Sequence, residues 1–334
     1  MSAPRLQSRS IAGLVPVLLL LVCAGCKGTG KERNPSGLWV VTQGGRAGYI
    51  NREGKLVIPA QFEKAYGFTE GRAVVVLGGR AGFIDETGRY VINPQYDDAF
   101  SFYEGLAAVK SNGRMGYIDR EGRVVIQPLY EQVGDFSGGL ARVVLGGRSG
   151  YIDKEGKLAI TPQFEDARKF SEGLALVRIG GLWGYVQPGG RLAISPQFDE
   201  AYDFAEGLAL VKIGGKYGFI DKSGKVVIEP RFDNGYSFSE GLATVGVGNQ
   251  GGYIDRSGKF AINPQFESVA PFAEGLARIK LGGRWGYIDR EGKIAINPQF
   301  EEAFDFNGGL AEVRVGEGRG YIERSGKFVW NPSS

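Results

Sequence analysis

A glycine followed by an aromatic and then a β-branched residue returns every 34 residues along this 334-residue chain, nine times in all. The glycines are Gly48, Gly82, Gly116, Gly150, Gly184, Gly218, Gly252, Gly286 and Gly320. A fixed period of this length denotes one structural unit copied in tandem, each copy burying its apolar face against its neighbours. Length alone would suggest about two domains, but an unbroken period argues for a single array.

One unit, residues 207–240, reads as strands and turns. Leu208–Ile213 is a β-rich run, Gly214-Gly215 a two-residue turn, and Lys216–Asp221 a second run. Two such runs joined by Gly-Gly predict a hairpin, because the type I′ and II′ turns that match strand twist need positive φ. The register follows: Ile213 opposite Lys216, Val211 opposite Gly218, and Ala209 opposite Ile220. Asp221-Lys222-Ser223-Gly224 predicts a second tight turn, and Lys225–Ile228 a third strand ended by Pro230. The stretch from Arg231 to Glu240 leads to the next copy as a fourth short strand or an ordered connector. The face carrying Ala209, Val211 and Ile220 recurs almost unchanged and is expected to be core. The face carrying Leu208, Leu210, Tyr217 and Phe219 is expected closer to solvent. Gly218 leaves room for close approach of another element, for which Phe232 and Phe238 are the expected occupants. Helical repeats of the same period, such as the tetratricopeptide repeat, are rejected: each unit holds about six glycines and a proline, and its apolar residues alternate.

The unit Trp285-Gly286-Tyr287-Ile288-Asp289-Arg290-Glu291-Gly292-Lys293, followed by Asn297-Pro298-Gln299-Phe300 and Phe306–Ala311, resembles the bacterial WG repeat over residues 37 to about 332. The tryptophan itself is kept only as Trp183 and Trp285, with Tyr217 close to it. The resemblance implies an all-β repeat array and secretion, and no activity.

The array starts on the first strand of a unit at Gly37 and ends after the third at Trp330-Asn331-Pro332, giving nine three-strand meanders and eight connectors. No unit is visibly split between the termini, nine exceeds the usual four to eight propeller blades, and 34 residues is short for a four-stranded blade. The expected architecture is therefore an open β-solenoid or superhelix, with a β-propeller as the alternative, since closure would hide the end strands.

Arg5 and Arg9 precede an apolar run from Ile11 to Val22, and Cys23-Ala24-Gly25-Cys26 follows. This is a secretory signal pattern, too short for a spanning helix. The ending resembles a bacterial lipobox, which implies lipid attachment at Cys26. Lys27 after the cysteine implies the outer membrane by the same resemblance. The expected organisation is a signal peptide over 1–25, lipidated cysteine and polar tether over 26–36, and the repeat domain over 37–334, its last unit incomplete.

The chain has no histidine, and both cysteines lie within its first 26 residues, so most nucleophile–histidine triads, zinc sites and disulfide frameworks are excluded. The net charge of +3 includes Arg5 and Arg9, leaving 38 of 40 basic residues against 37 acidic ones. A body this close to neutral carries no electrostatic footprint for nucleic acid.

Three rows of side chains are candidates for chemistry. The Asp row (Asp85, Asp119, Asp153, Asp221, Asp255, Asp289) would suggest calcium, but each unit offers one carboxylate there, which turn-capping explains. The second acidic row (Glu63, Asp97, Glu131, Glu165, Asp199, Asp233, Glu267, Glu301) accompanies a basic row from Lys55 to Lys327. A row repeated alike lacks the asymmetry that two hydrolytic carboxylates need, so surface ion pairs are expected. The aromatic row from Tyr49 to Tyr321 is either a ligand surface or cross-strand packing. Trp183, Tyr217 and Trp285 add bulk and are the expected ligand surface. No metal or cofactor is expected. The functional expectation is a non-catalytic, membrane-anchored lipoprotein, monomeric, acting as an envelope scaffold for a protein or glycan partner. The alternatives are a cell-wall or carbohydrate-binding module and, last, a carboxylate-based hydrolase.

Overall fold

Every two-residue turn predicted from a Gly-Gly or Asn-Gly pair forms, with both residues at positive φ, as at Gly44 (57°) and Gly45 (72°) or Asn112 (51°) and Gly113 (79°). The computed structural model describes residues 34–333, so the leader and Cys26 lie outside the described residues. In blade 1 the strands are β1 (Trp39–Gln43), β2 (Arg46–Ile50) and β3 (Leu56–Phe62). Blade 2 holds β4 (Lys64–Ala65), β5 (Ala73–Leu77), β6 (Arg80–Ile84) and β7 (Tyr90–Tyr96) in that spatial order. Seven further antiparallel sheets repeat the four-stranded pattern, ending with blade 9 over 302–333. The expected register holds, with Ile213↔Lys216, Val211↔Gly218 and Ala209↔Ile220.

The stretch left open between strand and connector is a strand. β4 pairs with β5, and after a bulge the pairing resumes at Thr69↔Arg72. The full blades are thus four-stranded, not three-stranded meanders.

The recurrent glycine owes its place to backbone, not to the phenylalanines expected beside it. Between β2 and β3, Ala47 pairs with Phe62 and Tyr49 with Ile58, so the third strand bulges over Gly48. A Cβ on Gly82 would stand 2.6 Å from both Ile92 O and Pro94 N. The proline is tolerated because it sits on this bulged edge strand. Phe238 instead packs on Phe219, ring centroids 4.9 Å apart, and Phe232 on Phe260.

Nor is one face of the sheet turned to solvent: Leu208, Leu210 and Phe219 are as buried as Ala209 and Val211. Both faces are covered because each blade is pressed between two others. Tyr185, Ile194 and Phe198 of blade 5 form one cluster with Phe204, Ala209, Val211 and Ile220 of blade 6. The aromatic row is this packing. Tyr49, Tyr151 and Tyr253 are fully buried, and the row's hydroxyls donate to carbonyls of the following blade, as Tyr49 to Tyr66 O at 2.8 Å.

The array is closed, which overturns the open solenoid. Trp39, Val41 and Ile50 of blade 1 share a buried cluster with Leu310 and Tyr321 of blade 9. Trp39 Nε1 donates to Asn307 O at 3.0 Å, and Tyr321 Oη to Val40 O at 2.8 Å. Gly54 of blade 1 lies against the backbone of Val329 in blade 9, at the place where Gly88 of blade 2 lies against the Ile58 side chain of blade 1. The molecule is a nine-bladed β-propeller. No end blade has an open face because the first and last sheets supply the missing neighbour for each other. Asn34 is buried and bonded to Leu38 O, so the last residues assigned to the tether belong to the ring.

Candidate functional site

The three aromatic residues expected to form a ligand surface occupy the same position on the middle strand of blades 5, 6 and 8. Trp183 and Tyr217 sit on adjacent blades. Trp285 is separated from them by Gly251, whose missing side chain is replaced by Val269, within 2.6 Å of where a Cβ would stand.

Each ring carries a cation. The guanidinium carbons of Arg178 and Arg168 lie 5.9 and 6.0 Å from the Trp183 centroid. Lys212 Nζ is 5.3 Å from Tyr217, and the Arg278 guanidinium 5.6 Å from Trp285. Tyr217 is buried and its hydroxyl donates to Glu200, which also pairs with Lys212 at 2.8 Å. Hydrogen bonds from Lys212 and Tyr217 hold the Glu200 carboxyl below its ordinary range, while burial and that carboxylate push the Tyr217 phenol up. Trp183 and Trp285 are half-buried. The Asp203 carboxyl is pushed up by burial, partly offset by Lys169 and by the Arg168 that faces Trp183, and among the described residues its Oδ1 lacks a hydrogen-bond partner. The arrangement is one of two half-buried indoles and one buried phenol, each with a cation across its ring.

The acidic rows are structural. Asp85 Oδ1 accepts the backbone N–H of Thr87 and Arg89, capping its turn as expected. The second row differs from expectation. Glu63 accepts from Gly78 and Gly79 N at 3.0 Å, and Glu165 from Gly180 and Gly181 at 2.8 and 3.0 Å, so these carboxylates cap the hairpin turn of the next blade. Where they pair with cations, the partners include Arg80, Lys216 and Arg284 on the hairpin of the preceding blade, not the row beginning at Lys55.

A third acidic row escaped the sequence reading. Glu70, Glu104, Glu172, Glu206, Glu240 and Glu274 reach across to the next blade. Glu172 accepts from Glu206 and Gly207 N, both at 2.9 Å, and Glu274 from Gly308 and Gly309 N at 2.7 and 2.9 Å. All six stand at φ between 51° and 55°, a conformation that costs a non-glycine residue about 1 kcal/mol or more. The inter-blade bonds offset that strain. The signal was present in the recurring Glu-Gly-Leu triplet, whose glutamate was read only as the end of the stretch leading to the next copy. Among the described residues no three His, Cys, Asp or Glu side chains converge as metal ligands, and no helix is long and apolar enough to cross a membrane.

Closed ring, short blades and inter-blade glutamates define a repeat propeller. The family model for the WG containing repeat matches eight times in succession, over 48–80, 82–114, 115–148, 150–183, 183–217, 217–250, 252–285 and 285–318, and the chain belongs to that family. A comparison with curated proteins finds no match. Among solved structures, the fold is similar to a eukaryotic initiation factor, at 10% identity over 87% of this chain and 94% of that one, with a TM-score of 0.62. Weaker likenesses are to PorZ, a surface component of the type-IX secretion system of Porphyromonas gingivalis (12% identity, 89% and 51% coverage, TM-score 0.33), and to the dihydro-heme d1 dehydrogenase NirN (13%, 94% and 77%, TM-score 0.48).

Proposed function

We propose that this protein is a non-catalytic interaction scaffold, held to the bacterial envelope, most simply the outer membrane, by a lipid on Cys26. The observation that carries the binding role is the half-buried Trp183, with Arg168 and Arg178 across its ring, next to the buried, lysine-capped Tyr217 of the adjacent blade. Tryptophan, tyrosine and arginine are the residues that concentrate binding energy at protein interfaces, and a closed ring presents them without the entropy cost of ordering a loop. A protein partner suits this mixed aromatic and charged face.

Crosslinking in the native cell, followed by partner identification, tests the reading. Trp183→Ala should remove a crosslinked partner that Trp330→Ala retains. An unchanged crosslinking pattern would overturn the role given to the aromatic face. Retention of the wild-type protein on purified peptidoglycan, lost in Trp183→Ala, would assign the face to glycan instead. For the anchor, Cys26→Ser should abolish fatty-acid labelling, and undiminished label would refute the lipoprotein assignment.

A further inference from the structure

The glutamate row that joins the blades works together with a basic row 50 residues further on. Arg120 pairs with Glu70 at 2.7 Å, Lys154 with Glu104 at 3.2 Å, Lys222 with Glu172 at 3.3 Å and Arg256 with Glu206 at 3.9 Å. Arg290 donates to the Glu240 carbonyl. In each case the glutamate belongs to one blade and the cation to the next. Three positions of the glutamate row depart from the pattern: Ser36, Gly138 and Gly308. At the first two the cation has gone as well, its place taken by Glu86 and Pro188. At Gly308 the next blade is blade 1, and the cation is still there: Arg52.

Arg52 is therefore a cation whose carboxylate is missing. Among the described residues its guanidinium has no ion pair or hydrogen bond, and neither has that of Arg324, the last cation of the row. The two arginines line the same half-open cavity of about 500 Å³ at the junction of blades 9 and 1, together with Asn34, Trp39, Glu274 and Gly308. They also line an adjoining hollow of about 280 Å³. The carboxylates nearby are engaged: Glu274 accepts two backbone N–H groups, and Glu323 accepts the Ser325 hydroxyl at 2.6 Å. Trp39 explains why the chain itself cannot fill the place. Its Cζ2 would stand 3.0 Å from a Cβ on Gly308, and Asn34 Cβ 2.8 Å from it.

We propose that this cavity is a carboxylate-binding site, filled by a glutamate side chain or C-terminus of a partner polypeptide that enters from the open side and pairs with Arg52 and Arg324. Guanidinium groups are planar forks matched to carboxylates, and such charge-assisted pairs are roughly twice as strong as neutral hydrogen bonds. Trp39 and Asn34 form the wall against which the ligand's stem would pack. The site stands independently of the Trp183 face.

The test is a titration of the isotope-labelled full-length protein with glutarate, and separately with inorganic phosphate, followed through the Trp39 indole and the arginine Nε–H signals. Glutarate should shift the Trp39, Arg52 and Arg324 signals saturably. Arg52→Gln and Arg324→Gln should each weaken binding about tenfold or more, the equivalent of one lost charged hydrogen bond, while Arg120→Gln leaves it unchanged. No saturable shift, shifts centred elsewhere in the wild-type protein, or undiminished affinity in both folded variants would overturn the site. Saturation by phosphate but not by glutarate would overturn the carboxylate assignment.

Discussion

Trp39 and Asn307 lie 268 positions apart in the chain, yet the indole N–H of one donates to the carbonyl of the other at 3.0 Å. In the eight later blades the position of Trp39 is alanine, as in Ala73, Ala107 and Ala311. At this position the repeat departs from alanine only in blade 1, and the departure helps to join the ends. Blade 1 shows three strands, and Val40 O, whose equivalent Val74 O bonds Tyr66 N within blade 2, is taken by the Tyr321 hydroxyl instead. Closure is thus made of side chains packed between two faces, and among the described residues no strand of one terminus completes the sheet of the other.

Trp39→Ala should destabilise the ring by about 3–5 kcal/mol, the usual cost of truncating a buried tryptophan. Denaturant unfolding followed by tyrosine and tryptophan signals should then separate into more than one transition, because blades 1 and 9 lose the contact that makes them inner blades. A single transition with an unchanged midpoint would show that the seam contributes little.

The motif glycine should not tolerate even a methyl group. A Cβ on Gly150 would stand 2.6 Å from Ile160 O and Pro162 N, both backbone, so the bulged strand would have to shift. Gly150→Ala should cost about 1–3 kcal/mol or more by overpacking. Gly146→Asn, in an open hairpin turn at φ 60°, should be near neutral, since Asn112 occupies the same turn position naturally. Equal midpoints for the two variants in urea would refute the backbone-contact account.

Glu172 and Asp203 should respond to pH in opposite directions. Burial raises the Glu172 carboxyl, but the amides of Gly207 and Glu206 and the Lys222 ammonium outweigh it, and the net shift is downward. A depressed carboxylate stabilises above its ordinary range, and that contribution is lost as pH falls through the folded value. Glu172→Gln should cost about 1 kcal/mol at pH 7 after allowance for solvent screening, and the deficit should shrink on acidification. Asp203 is raised by burial, so its folded form keeps a proton that the unfolded chain gives up. Wild-type stability therefore falls as pH rises from the ordinary Asp value through the raised one. Asp203→Asn should gain on the wild type over that interval and hold the gain at neutral pH. Parallel pH–stability curves for wild type and both variants would contradict these assignments.

Strands, turns and register were legible because they depend on neighbours in sequence: Gly-Gly pairs set the hairpins, and alternation set the pairing. The closure was not, since it rests on single departures from the repeat, Trp39 for alanine and Gly308 for glutamate, whose meaning appears only when residues far apart in the chain meet. The two-sided burial of Leu210 and Phe219 was misread for the same reason, as the covering atoms belong to other blades. Carboxylates such as Glu63 and Glu172 were missed as caps because their partners are backbone amides, which leave no mark in side-chain chemistry. At the aromatic face, the identities of Trp183, Tyr217 and Trp285 were legible. Their cations and the interruption at Gly251 were not.

The seam can be rebuilt as an ordinary blade junction, and this tests how its parts depend on one another. Gly308→Glu alone would place a Cβ against Asn34 and Trp39, at 2.8 and 3.0 Å, and should destabilise the ring. Trp39→Ala alone removes the indole and leaves a cavity. Together the two substitutions restore what six other junctions have: alanine in the first blade's strand, glutamate at the turn, and Arg52 in place as its cation. Their effects should therefore not add. The double variant should be more stable than the sum of the single costs by about 1–3 kcal/mol, the range for residues in direct contact. Introducing Arg52→Gln as a third change should remove part of that coupling, because the new carboxylate would lose its charged partner. Strict additivity in urea unfolding would mean that the introduced glutamate does not adopt the inter-blade position, and that Arg52 is not the cation of a missing carboxylate.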